Sequence, residues 1–197
     1  MRPKFQPLVV VVLLTLQTSN DANTQDSKTQ TAEPKTKLEA FQAKSCAVII
    51  RGFSRVGSLE RLADESVEVK GQEFTDASSG KKEYGITVTV ESRSPTSSRL
   101  GKESTSYIDY DEIDSLVKGI DYIAKIDETT TKLAAFQADY HTKGDLIVST
   151  YSNQGGVRAR IQSGRFGGTS AFLSLMELEQ FKKLILKAKE MLDEIKK

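Results

Sequence analysis

The chain has 197 residues, with 28 Lys+Arg against 27 Asp+Glu, a single histidine (His141), a single cysteine (Cys46) and no tryptophan. One cysteine excludes an intramolecular disulfide, and one histidine with one cysteine excludes a His/Cys zinc cluster. The near-balanced charge also departs from the net basic domain usual in nucleic-acid binding.

At the N-terminus, Arg2 and Lys4 precede the apolar run Leu8–Leu16 and the polar stretch Gln17–Asp21, the order of a secretory signal peptide. The run is about half of the ~20 residues that a membrane helix needs. We therefore expect residues 1–22 to direct export to the periplasm or the outside of the cell, leaving no permanent span. Residues 23–36 contain almost nothing that can be buried and are expected to form a disordered linker. The 161 residues from 37 to 197 suffice for one compact unit with its own core.

Two segments of that unit look like copies. Lys37-Leu38-Glu39-Ala40-Phe41-Gln42-Ala43 recurs as Lys132-Leu133-Ala134-Ala135-Phe136-Gln137-Ala138, identical at six of seven positions, an offset of 95. Tyr107–Ile113 matches Phe172–Leu178 in chemical pattern at an offset of 65. A repeat spanning both matches requires about 30 extra residues in the first copy.

In chain order, the first copy (37–127) shows strand signals at Ala47–Ile50, at Val67 and Val69, at Ile86–Val90 and at Ser106–Tyr110. Gly80 marks a hairpin, and Ser94–Ser98 a loop before the fourth strand. Cys46 precedes an apolar run and is expected to be a small buried residue. In the second copy (132–197), Ala134, Phe136, Ala138 and Tyr140 share one face; Leu146, Val148 and Thr150 another; Val157, Ala159 and Ile161 alternate with Arg158 and Arg160; Ala171, Leu173 and Leu175 complete the last strand. Thr142–Asp145, Ser152–Gly156 and Gly164–Gly168 read as turns.

Each copy ends in an amphipathic helix, with stripes at Ile113, Leu116, Val117, Ile120, Ile123 and Ala124, and at Leu178, Phe181, Leu184, Ile185, Ala188, Met191, Leu192 and Ile195. Asp109-x-x-Glu112 and Ser174-x-x-Glu177 read as capping boxes. The fold class is therefore α+β: two pseudo-repeats of four antiparallel strands, each closed by a helix.

Residues 37–131 carry 13 Lys+Arg against 17 Asp+Glu, a net of −4; residues 132–197 carry 11 against 7, a net of +4. The opposed halves suit internal contact or head-to-tail contact between molecules. The acids Asp109, Asp111, Glu112 and Asp114 read first as a helix start, since they lack the central glycine and closing glutamate of a calcium loop. Gly164-Arg165-Phe166-Gly167-Gly168 reads as a hairpin turn without phosphate-loop spacing. His141 falls on the exposed side of its strand, and Tyr107, Tyr110 and Tyr122 surround the first helix as packing residues with their hydroxyls outward. No catalytic set, cofactor or metal centre is expected. Arg158, Arg160, Arg165 and Phe166 are the candidate contact residues for an anionic partner.

Four strands running into a helix through Tyr-Ile-Asp-Tyr-Asp-Glu-Ile and Phe-Leu-Ser-Leu-Met-Glu-Leu resemble the β4α module of single-stranded-DNA-binding transcriptional coactivators. The tandem order is similar to that of the plant Whirly proteins, and the whole chain resembles a family of small exported bacterial proteins. The module resemblance implies contact through basic and aromatic strand faces, for which Arg158, Arg160, Arg165 and Phe166 are the nearest matches. The expected function is non-catalytic binding of a protein partner or self-association. Nucleic acid or another polyanion bound by the second copy is the alternative.

Overall fold

The computed structural model describes residues 33–60, 65–92, 101–154, 156–164 and 167–197. Alternating apolar positions produce two antiparallel meanders. The first sheet contains β1 (Ile49–Glu60), β2 (Glu65–Asp76), β3 (Lys82–Ser92) and β4 (Lys102–Asp109); the second contains β5 (Gln137–His141), β6 (Leu146–Asn153), β7 (Gly156–Ser163) and β8 (Thr169–Leu173). The fold is α+β, with the strands of each sheet ordered as they occur in the chain. The expected hairpin at Gly80 joins β2 to β3, where the glycine has a φ of +66° and the Asp76 carboxylate accepts the Ser78 and Ser79 amides.

The helices are α1 (Lys37–Gln42), α2 (Ile113–Ile123) and α3 (Leu175–Ile195), with single 3-10 turns at Tyr110–Glu112 and Glu128–Thr130. Each long helix follows the last strand of its own copy and packs on the sheet of the other. In α2, Gly119 lies so close to Tyr140 of β5 that an added Cβ would meet its ring at 2.1 Å. In α3, Leu184 and Met191 lie against Gly57 of β1 and Gly71 of β2. This exchange makes one core from both copies: Val67, Val69, Ile86 and Val88 join Leu146, Val148, Ala159 and Ile161 beneath Leu116, Ile120, Phe181 and Ile185. Full burial of each large aliphatic or aromatic side chain contributes about 1.5–3 kcal/mol. The sheets also meet through a polar seam, with Ser106 hydrogen-bonded to Ser163 at 2.8 Å and Ser104 to Thr169 at 3.1 Å.

The exchange also places opposite charges together. Lys182 of α3 pairs with Asp121 of α2 at 2.7 Å, and Lys189 with Asp114 at 3.0 Å. Part of the opposed charge of the two halves is therefore engaged inside the molecule.

The structure separates the two sequence matches. Pairing registers relate Ile108 to Leu173, Ile86 to Ala159, Gly71 to Thr150 and Ser54 to Ala138, so the offset grows from 65 to 73, 79 and 84 toward the N-terminus. The match at 65 is structural. The heptapeptides at 95 are not equivalent: Lys37–Gln42 is helix α1, whereas residues 132–136 form no helix or strand and only Gln137 and Ala138 enter β5. Context decides between them. Leu38 and Phe41 bury against Phe74 with Ile49 and Tyr107 alongside, while Leu133 is 77 % exposed.

Several other expectations change. Thr36 belongs to the ordered body, since its side chain caps α1 by accepting from Glu39 N. Cys46 is exposed with a φ of +55°, because it lies in the turn before β1 and not in the strand. Leu175 begins α3 instead of ending β8. Of the two expected boxes, Ser174-x-x-Glu177 caps its own helix and Asp109-x-x-Glu112 does not. Asp109 instead accepts from Lys37 N at 2.9 Å and Leu38 N at 3.2 Å, capping α1, and Glu112 accepts from Lys143 N at 2.9 Å. Residues 1–22, most of the expected linker and the loop at Ser94–Ser98 lie outside the described residues.

Candidate binding face on the second sheet

Strand alternation turns Leu146, Val148, Ala159, Ile161, Ala171 and Leu173 into the core, so their neighbours form the opposite face. Across that outer face, Tyr151 of β6 pairs with Arg158 of β7, Ser149 with Arg160, and Arg160 with Phe172 of β8. Two guanidinium groups and two aromatic rings are thus interleaved on three adjacent strands. Arg158 is exposed and Phe172 is 49 % exposed. Tyr151, Asn153, Arg158, Phe172 and Leu173 line a depression of about 310 Å³.

Of the two arginines, Arg160 is held by its register neighbour. Arg160 Nη2 donates to Ser149 Oγ at 3.4 Å, while its buried Nε has no hydrogen-bond partner among the described residues. No carboxylate pairs with Arg158 or Arg160 among those residues. The first sheet treats its outward cations differently: Arg55 and Lys70 both pair with Glu68.

The internal repeat shows why this face is open. Its registers place Phe172 where the first sheet has Tyr107, and Arg158 where it has Gly85. In the first sheet α1 covers this region: Tyr107 packs edge-on against Phe74 at 6.5 Å, and the missing Cβ of Gly85 would lie 2.6 Å from Leu38 Cδ1. An arginine at the equivalent position takes the space a docked leucine would need. Ser174, equivalent to the Asp109 that caps α1, is engaged by its own helix.

Arg158 and Arg160 therefore stand together as expected, whereas Arg165 and Phe166 lie outside the described residues. Tyr151 and Phe172 join them, a partnership readable in sequence only once the register is known. His141 is exposed on β5. Of the three tyrosines, Tyr122 is exposed, Tyr107 packs on Phe74, and Tyr110 donates to Asp193 with Lys196 Nζ 3.7 Å from its ring centroid.

The acidic cluster disperses. Asp109 caps α1, Asp111 pairs with Lys37, Glu112 holds the β5–β6 turn, and Asp114 pairs with Lys189. Among the described residues no group of three His, Cys, Asp or Glu could hold a metal ion. The Lys37 hydrogen bond holds the Asp111 carboxyl below its usual range. Burial pushes the Glu112 carboxyl up, and its Oε2 is unpartnered among the described residues.

These features define an α+β protein with exchanged helices and a cationic and aromatic sheet face that no helix among the described residues covers. No family model matches the chain, and no curated protein matches it. No helix among the described residues is long and apolar enough to cross a membrane.

Proposed function

We propose that the chain is an exported, non-catalytic binding module that presents the outer face of its second sheet to an anionic protein partner. One observation carries this reading: Arg158 and Arg160, with no carboxylate partner among the described residues, stand between Tyr151 and Phe172, at the place where the first sheet is covered by α1. Unpaired guanidinium groups offer bidentate contacts to carboxylates, and the flanking rings supply rigid apolar area. Export rests on Arg2, Lys4 and the Leu8–Leu16 run.

The interleaving of rings with cations also supports a second reading, binding of nucleic acid or another polyanion, because bases stack on such rings while phosphates meet the arginines. Titrations with polyglutamate, heparin and a single-stranded oligonucleotide separate the two. The first reading predicts polyglutamate binding that weakens steeply with salt and by about tenfold (about 1.4 kcal/mol) in Arg158→Ser/Arg160→Ser. Binding of the oligonucleotide with no response to polyglutamate selects the second. Retention of neither, or a specific turnover abolished by one substitution, removes the proposal.

A further inference from the structure

The first sheet ends on β1, whose outward edge has no strand beside it among the described residues. Its N-terminal half, with Val48 just before it, is unusually apolar for such a position. Val48 and Phe53 are each 69 % exposed and Ile50 is 57 % exposed. Arg51 is the single charged residue from 48 to 54, and no proline interrupts that stretch. Sheets ordinarily protect an edge with charge, proline, a bulge or a covering element. Here a register shift between Arg55 and Gly57 protects the far half of the strand only. The second sheet provides a contrast, because Glu65 Oε2 accepts from Phe172 N on β8 at 3.2 Å.

We infer that residues 50–54 of β1 pair antiparallel with the same residues of a second copy of this chain, joining two four-stranded sheets into one of eight strands. The segment is self-complementary about Gly52. That register places each Arg51 opposite the other chain's Phe53, giving two cation–π contacts, and each Ile50 opposite Ser54, with no like charges facing. Registers one step away on either side instead oppose Arg51 to Arg51 or Arg51 to Arg55. The chain's own residues 23–32 do not suit the edge, since Ala32 is their single apolar residue. The bulge after Arg55 ends the pairing and limits assembly to a closed, two-fold dimer. Such a dimer carries two second-sheet faces, and a partner with repeated anionic sites would be held by both.

The test is covalent trapping on the mature chain carrying Cys46→Ser. Adding Gly52→Cys is sterically mild, because the nearest atoms to a Cβ there, on Glu73, are 3.9 Å away. Opposed residues of an antiparallel pair have Cα atoms about 4.5–5.5 Å apart, within disulfide range. Mild oxidation should convert Gly52→Cys largely to a covalent dimer, whereas Ser54→Cys, about 13 Å from its counterpart in this register, should remain a single chain. Sedimentation of the unmodified protein should give the mass of two chains, falling to one in Ile50→Lys/Phe53→Lys. Both of those side chains are exposed, so far-UV dichroism should be retained, and the melting midpoint should lose only the concentration-dependent share that dimerisation adds. A single-chain mass at submillimolar concentration, a dimer that survives the double lysine variant, or trapping at Ser54→Cys in place of Gly52→Cys overturns the inference.

Discussion

Gly119→Ala separates helix propensity from tertiary packing more sharply than any other single change. Gly119 lies inside α2, where alanine ordinarily stabilises a helix by about 0.8–1 kcal/mol over glycine. Here the added Cβ would fall 2.1, 2.5 and 2.6 Å from Cδ2, Cε2 and Cγ of Tyr140 on the second sheet. All three distances lie far inside van der Waals contact, and a partly buried ring on a paired strand cannot retreat as a flexible side-chain end can. Overpacking of this kind costs about 1–3 kcal/mol, enough to cancel or exceed the propensity gain. Urea unfolding followed by far-UV dichroism should show no gain and a net loss of up to about 2 kcal/mol. In a Tyr140→Ala background the obstacle is gone, so the same Gly119→Ala change should stabilise by up to about 1 kcal/mol. Stabilisation by Gly119→Ala alone, or no change of sign in the second background, would refute the packing of α2 on the opposite copy's sheet.

Three further outcomes follow from particular contacts. Leu38→Ala should cost about 2–5 kcal/mol because it empties a fully buried site, whereas Leu133→Ala, at the matching place in the second heptapeptide, should stay within about 0.5 kcal/mol in the same urea assay. Asp109→Ala removes the acceptor of the Lys37 and Leu38 amides while the Thr36 cap of α1 stays, and should cost about 1–3 kcal/mol, with limited proteolysis appearing between residues 36 and 48; Ser174→Ala should cost about 1 kcal/mol without that cleavage. Glu112 faces the Lys143 amide and charge, the carboxylates Asp109 and Asp111, and Tyr140, and burial raises its pKa above the ordinary 4.5. Between 4.5 and that raised value the folded state holds more protons than the unfolded one, so stability falls as pH rises through the window. Glu112→Gln should flatten that slope and raise stability at neutral pH. Asp111, Asp121 and Asp127 act oppositely: hydrogen bonds lower their pKa values, so their contribution is present above 3.8 and is lost on acidification below it.

The residues differ in how much of this was legible before the structure. Alternation and helical stripes are local patterns, so the eight strands, two long helices and the 65-residue match could be read directly. The partner of each helix could not, because an apolar stripe records that a face is buried and not which sheet covers it. The paired heptapeptides show the same limit. Their sequences are almost identical, but only the first finds Phe74 beside it and a carboxylate, Asp109, at its amide end. Asp109 and Glu112 have the spacing of a capping box, but each bonds a distant element, a choice fixed by the 3-10 turn at Tyr110–Glu112. At the candidate face, Arg158 and Arg160 were visible as outward residues of one strand. Tyr151 and Phe172 become their neighbours through pairing register, which no single strand encodes.

Amide chemical-shift mapping of the folded protein titrated with polyglutamate tests the contact surface most directly. We predict perturbations centred on Tyr151, Arg158, Arg160 and Phe172, diminishing with added salt and absent in Arg158→Ser/Arg160→Ser. Perturbations that fall instead on the outer face of the first sheet, or that persist unchanged in the double variant, would contradict the assignment.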